Sequence, residues 1–222
     1  MLACANVAKT YETARGNVGA VKGIDLTIER GEFAAIIGRS GSGKSSLLAM
    51  IGGLSRPTYG TVSVEDTDIW ALADDQLAQF RNRRMGFVFQ FASLLPTLRI
   101  IDNVALPALL GQTRAVTDVY EAAAELLDQL GIGGYADAYP TEVSAGEQRR
   151  AVIARAFINN PIVLLADEPT SDLDQETERE IMDHFRAANR TRAMTLVMVT
   201  HNLSLAEKAD RVLHIAEGRL VA

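Results

Sequence analysis

Between Phe33 and Leu54 the chain reads FAAIIGRSGSGKSSLLAMIGGL, a short apolar run, a loop of glycine and serine closed by a lysine, then a helical pattern. No other stretch restricts the fold as tightly. Gly38 to Ser45, GRSGSGKS, fits the phosphate-binding pattern G-x-x-x-x-G-K-[ST], which requires a strand before it and a helix after it. Gly38, Gly41 and Gly43 allow successive backbone N–H groups to curl around a phosphate, with Arg39, Ser40 and Ser42 filling the remaining loop positions. Lys44 is placed to reach the β- and γ-phosphates, and Ser45 to coordinate magnesium. The alternative is a glycine-rich turn that matches by accident; the strand before it and the helix after it argue against that. The stretch predicts a nucleoside triphosphate site.

Three further apolar runs, MGFVF (85–89), IVLLAD (162–167) and TLVMVT (195–200), resemble the first. Short runs of this kind, separated by helical patterns, read as strands buried on both faces of a mainly parallel sheet, which gives an α/β architecture. The helical patterns SSLLAMIGGL and QETEREIMDHFRAANR follow the first and third runs. Residues 90–161 carry helical character, including VYEAAAELLDQLGI, and read as a helical subdomain inserted into the sheet domain. AVKGIDLTIERGEF and GTVSVEDTDI alternate with turn residues and predict a small antiparallel β-layer. The expected organisation is one domain over 1–222, with an α/β core and β-layer at 1–90 and 158–222 and the helical insertion at 91–157.

Composition narrows the function classes. With 22 Lys and Arg against 28 Asp and Glu, the net charge is −6, so sequence-independent nucleic-acid binding is not expected. The basic run FRNRR, with Arg81, Arg83 and Arg84, reads as a solvated helix face. The single cysteine, Cys4, excludes an internal disulfide and a Cys-rich zinc site. No signal-peptide pattern occurs, and no apolar run approaches the roughly 20 residues that span a bilayer. A cytoplasmic location is the expectation.

Other candidate residues stand at strand ends. Asp167 ends an apolar run and fits a carboxylate that holds magnesium through its water shell; Glu168 beside it would orient or deprotonate an attacking water. Two adjacent acids there are otherwise an ordinary solvated turn. Gln90, directly after MGFVF, could bind magnesium or the water through its amide oxygen, though a lone Gln at a strand end means little. His201 follows TLVMVT at the edge where open α/β sheets bind ligands; an exposed strand-end histidine is the plain alternative. Finally, VSAGEQRR (143–150) carries a capping box, Ser144 with Glu147, that opens a helix ending before Pro161. A helix N-terminus favours anions, and Gly146 would permit close approach to the backbone.

Taken together, GRSGSGKS, Gln90, VSAGEQRR, LLADEPTSDLD and VTH occur in the order and spacing of an ATP-binding cassette (ABC) ATPase. The resemblance covers essentially the whole chain and is strongest to the branch of macrolide-exporter, lipoprotein-release and cell-division ATPases. It implies a P-loop NTPase fold, ATP and Mg2+ as ligands, and a signature loop at VSAGE that caps the γ-phosphate of ATP held by a second copy. Val143, Ala145 and Arg149 depart from the family pattern, where Leu, Gly and Gln are common. Ala145 raises the question of fit, because its methyl group would stand next to the phosphate and Ala tolerates positive φ poorly, although the first helical position needs only ordinary helical φ. The resemblance further implies that Tyr11 stacks on adenine, Ser46 contacts the α-phosphate, Asp174 connects the two sites of a dimer, and His201 acts as a switch near the γ-phosphate. Without it, Tyr11 reads only as a packed strand tyrosine.

These expectations combine into an ATPase that dimerises around two ATP molecules and drives a separate integral membrane permease, peripheral on the inner face of the membrane. FASLLPTLRIIDNVALPALL, after Gln90, is the implied docking stretch, although the core of the helical subdomain accounts for an apolar run equally well. The competing readings are a soluble ABC ATPase acting on nucleic acid or ribosomes, which the acidic charge disfavours, and a nucleotide-gated scaffold with little turnover, at which only Ala145 hints.

Overall fold

The computed structural model describes residues 1–14, 16–91, 93–112, 114–171 and 173–221. Ala92 of the implied docking stretch and Asp172 of SDLD therefore lie outside the described residues. Contacts divide the chain into two units, Met1–Arg81 with Ala188–Ala222, and Asn82–Ala187.

In the first unit β1 (Leu2–Thr13) and β2 (Gly16–Ile28) pair antiparallel, from Leu2 opposite Ile28 to Thr13 opposite Gly16. The chain continues through β3 (Phe33–Ile37), α1 (Lys44–Ile51), β4 (Tyr59–Val64) and β5 (Thr67–Asp68) to α2 (Asp74–Arg84). β2, β1, β4 and β5 lie side by side in that order and form the antiparallel layer. The sequence patterns at 20–33 and 60–69 cover β2, β4 and β5 but not β1, which sits between β2 and β4 and pairs with both. Leu2, Cys4 and Val7 of β1 are buried, as are Val62 and Val64 of β4. Glu65 and Asp66, with φ of 48° and 64°, make a two-residue turn of the kind that matches strand twist. Of the basic run on α2, Arg81 turns back to donate to the Gly53 carbonyl at 2.7 Å, whereas Arg83 and Arg84 are exposed.

The second unit contains β6 (Met85–Val88), α3 (Ile100–Gly111), α4 (Val116–Gln129), α5 (Ala145–Phe157), β7 (Val163–Asp167) and the start of α6 (Gln175–Arg192). β6 and β7 are parallel, with Met85 opposite Val163 and Val88 opposite Ala166. On α4 the buried residues are Val119, Ala123 and Leu127, four apart, so one stripe faces inward. α5 is buried over most of its length, through Ala151–Ala154, Ala156 and Phe157. The Phe157 ring meets that of Phe185 of α6 at a centroid distance of 6.3 Å.

The chain then completes the first unit with β8 (Thr195–Val199), α7 (Leu203–Ala206), β9 (Arg211–Ala216) and β10 (Arg219–Val221). There β3 lies between β8 and β9, parallel to both, and β10 pairs antiparallel with β9. Every residue of β3 and β8 is buried, as continuous apolar runs in a covered parallel sheet should be. Each fully buried Ile, Leu or Phe here contributes about 1.5–3 kcal/mol. Among the described residues no helix is long and apolar enough to cross a membrane.

Candidate active site

The phosphate loop leaves β3 and enters α1 at Lys44. Gly43 stands at the N-cap with φ 105°, and a Cβ there would lie 2.2 Å from the Ala20 carbonyl oxygen, so only glycine fits. The loop is braced from outside: Gly218 N–H donates to the Ser42 carbonyl at 3.0 Å, and Lys22 N–H to the Gly218 carbonyl at 2.7 Å. Gly218 belongs to a two-residue turn with Glu217, φ 80° and 51°, that joins β9 to β10. This buttress had no strong signal in the sequence, since Glu-Gly is a weaker turn marker than Asn-Gly or Asp-Gly.

Lys44 is 8% exposed and its ammonium donates to the carbonyls of Gly38 at 2.8 Å and Arg39 at 3.0 Å, folded back over the loop. The Ser42 hydroxyl is buried without a hydrogen-bond partner among the described residues. The first turn of α1 carries no acidic residue, so its positive end is not neutralised locally. An orphaned buried hydroxyl, a charged amine and a bare helix N-terminus are a donor set suited to phosphate. Arg39, Ser40, Gly41 and Ser45 are exposed along the loop. Ser46 accepts a hydrogen bond from the Tyr11 hydroxyl at 3.3 Å, which ties the proposed adenine platform to the proposed α-phosphate contact. The Lys9 ammonium lies 5.1 Å from the centre of the Tyr11 ring, so a stacked base would take the opposite face. His201 belongs to this group of residues: Ile36 pairs with Val199, so Gly38 and His201 each follow two residues later at the same sheet end.

The second unit repeats that geometry with different chemistry. Because Val88 pairs with Ala166, Gln90 and Glu168 each emerge two residues later at the same end of β6 and β7. Asp167 and Glu168 are half-buried and Gln90 is exposed. Glu168 has φ 46°, a left-handed conformation that is uncommon outside glycine and collects at functional sites. Its carbonyl accepts from the Ser171 N–H at 3.2 Å and hydroxyl at 3.1 Å, which closes the turn after β7. Among the described residues no three His, Cys, Asp or Glu side chains group closely enough to hold a metal. Magnesium commonly takes only one or two protein ligands, with phosphate oxygens and water completing its shell.

Ser144 caps α5 as the sequence predicts. Its hydroxyl accepts from the Glu147 N–H at 3.3 Å and donates to the Glu147 carboxylate at 2.8 Å, which also takes the Ser144 N–H at 2.7 Å. Those bonds, with one from the Tyr135 hydroxyl, hold the Glu147 carboxyl below the usual range. Ala145 takes ordinary negative φ at the first helical position, so its departure from the family pattern brings no backbone strain. Ser144, Gly146, Glu147 and Asp174 border one open cleft of about 460 Å³. The Asp174 carboxylate has a task within its own chain: it caps α6, accepting from the N–H groups of Glu176 and Thr177 and from the Thr177 hydroxyl at 3.0, 2.9 and 2.8 Å. These bonds, those from Thr177 first, hold its pKa low. Sequence reasoning noted Arg149 only as a departure; it is 5% exposed and donates to the carbonyls of Phe89 and Gln90.

Comparison with known proteins places this arrangement. Residues 21–171 match the family of ABC transporters. The chain is 42% identical over 222 residues to the lipoprotein-releasing system ATP-binding protein LolD of Geobacter metallireducens, covering 100% of this chain and 98% of that one. It is 44% identical over 215 residues to LolD of Nitratidesulfovibrio vulgaris, covering 96% and 91%. The macrolide export ATP-binding/permease protein MacB of Rhodopirellula baltica is 42% identical over 219 residues, but this chain spans only 32% of that longer protein. A dimeric post-hydrolysis state of the cassette MJ0796, bound to ADP and Pi, superposes with a TM-score of 0.95 at 36% identity, covering 100% of this chain and 97% of that one. The chain belongs to the ABC transporter family and is an ATP-binding, ATP-hydrolysing cassette related to those of the LolD and MacB type.

Proposed function

We propose that two copies of this chain enclose two ATP molecules, each held by the phosphate loop of one copy and the α5 N-terminus of the other, and that hydrolysis drives a separate membrane permease. The observation that carries the reading is the empty space over Gly146. A Cβ built there meets nothing within 4 Å, so the chain's own fold gives no reason for a glycine at this position. A ligand approaching from outside would give one, and a helix N-terminus suits an anion. That the similar cassette MJ0796 is a dimer bound to ADP and Pi supports the dimer in this reading. In domain terms, 1–90 and 158–222 serve as the nucleotide-binding core and 91–157 as the helical subdomain.

Lys44 and the loop N–H groups hold the β- and γ-phosphates; Tyr11 and Ser46 take the adenine and α-phosphate. Ser45, Gln90 and Asp167 would hold Mg2+, which supplies charge neutralisation at the phosphates. Glu168 accepts a proton from the attacking water, with Gln90 orienting that water and His201 near the γ-phosphate. General base catalysis of this kind is worth roughly 10²- to 10⁴-fold. Exposed Phe89, Phe91 and Leu95, which follow β6, present the apolar surface for the permease, at the cytoplasmic face of the membrane. The similar proteins divide between lipoprotein release and macrolide export, and MacB combines an ATP-binding part with a permease.

Single-turnover and steady-state hydrolysis of Glu168→Gln tests the assignment. The variant should bind Mg-ATP and turn over at least about 100-fold more slowly than wild type. Wild-type turnover would remove Glu168 from the mechanism. The same tagged variant should recover a multi-span membrane protein from detergent-solubilised native membranes, and recovery of soluble partners alone would reject the permease.

A further inference from the structure

We propose that Arg149 is a positioning residue for Gln90: its buried guanidinium grips the main-chain carbonyls of Phe89 and Gln90 and so fixes where the Gln90 amide emerges, at the strand end it shares with Glu168. The inference rests on the reading above that Gln90 acts at the nucleotide.

Arg149 lies one turn into α5, on the helix whose N-terminus presents Ser144 and Gly146. It is 5% exposed, and its two terminal nitrogens each take one carbonyl, Nη1 that of Phe89 and Nη2 that of Gln90. A guanidinium offers donors in a rigid planar fork, so two consecutive carbonyls held together fix direction as well as distance. A methionine of similar length would fill the same space but offers no such fork. α5 itself is seated hard against β6, since a Cβ on Gly86 would lie 2.4 Å from the Ala156 carbonyl oxygen. The helix is thus a firm base from which to aim the residues that follow β6.

The grip extends along the same segment. Arg155 of α5 donates to the Ser93 carbonyl at 2.7 Å and to its hydroxyl at 2.8 Å. Asn103 of α3, fully buried, accepts from the Leu95 N–H at 2.7 Å and donates to the carbonyls of Leu95, Leu98 and Arg99 at 3.0–3.1 Å. Arg149 is the member of this set that acts on Gln90 directly. It also joins the signature-loop helix to Gln90, so a shift of α5 is passed to this backbone through one hydrogen bond to Phe89 and one to Gln90.

A double-mutant cycle on the full chain tests this, using Arg149→Met and Gln90→Ala with ATP hydrolysis as the readout. Arg149→Met should lower kcat about tenfold in the wild-type background, leave the KM for ATP within about twofold, and lower kcat less than about twofold when Gln90 is already Ala. Arg149→Lys, which keeps a donor but not the fork, should fall between. An equal loss in both backgrounds, a loss confined to KM, or no loss at all overturns the proposal. If Arg149→Met does not fold, Arg149→Lys carries the cycle under the same criterion. Wild-type turnover by Gln90→Ala alone would instead overturn the reading of Gln90, and the role of Arg149 with it.

Discussion

Gly146→Ala separates what α5 needs for its own fold from what a ligand needs of it. The substitution adds one methyl group in the first turn of the helix, where the backbone φ is negative and the space around the new Cβ is empty to 4 Å. Alanine is favoured over glycine in a helix interior by up to about 1 kcal/mol, and the first turn keeps part of that, about 0.5 kcal/mol. For a chain of this size Tm should rise by roughly 1–2 °C. Activity should move the other way. A phosphate oxygen bound to N–H groups of the helix N-terminus sits about 2.9 Å from nitrogen, and a methyl group beside it forces the anion outward. Removing one such preorganised donor commonly costs 10²–10³ in kcat, so a partial displacement should cost at least about tenfold. Differential scanning fluorimetry and steady-state hydrolysis measure the two effects on one preparation. A stabilised variant with wild-type turnover would show that nothing approaches Gly146. A lowered Tm would show that the methyl group meets this chain itself.

Two further outcomes follow from charged and buried groups. Asp102 accepts from Arg99 at 2.8 and 3.1 Å and from the Tyr120 hydroxyl at 2.9 Å, and the Arg99 hydrogen bond above all holds its pKa below the usual value. A depressed carboxyl stabilises the fold above its unfolded pKa, about 3.9, and loses that contribution as pH falls through the folded value. Asp102→Asn should therefore lower Tm at pH 7 by roughly 2–4 °C, with the gap to wild type closing below about pH 4. A gap that persists at low pH would contradict the assignment. Burial, with a smaller contribution from Asp25, pushes the Cys4 thiol up to about 12, so the folded protein should resist a thiol reagent at pH 8 and react fully in denaturant. Rapid labelling of native protein would contradict the burial of Cys4 in β1.

The parts of the site that could be read in the sequence are those made of consecutive residues. The phosphate loop and the Ser144–Glu147 box are local patterns, and the structure builds both from neighbours a few residues apart. β3, β6, β7 and β8 were legible because residues buried on both faces leave nearly unbroken apolar runs. β1, β9 and β10 were not, because few of their residues are buried: three in β1, one in β9 and none in β10. Asp174 illustrates the limit at short range: DQET carries a cap to Thr177, whereas the family resemblance implies only a role across a dimer. Arg149 illustrates it at long range, since its acceptors lie 59 and 60 residues away and an arginine in a helix gives no sign of where its fork will close. For Ala145 only backbone geometry could show that its φ is ordinary and brings no strain.

The central claim is that each site is completed by a second copy of the chain. The most direct measurement is the solution mass of Glu168→Gln by size-exclusion chromatography with light scattering, with and without Mg-ATP. The account predicts a species at twice the 24.0 kDa chain mass that depends on Mg-ATP and is lost when Gly146→Ala is added. A Glu168→Gln variant that binds Mg-ATP stoichiometrically yet stays at 24.0 kDa would contradict it.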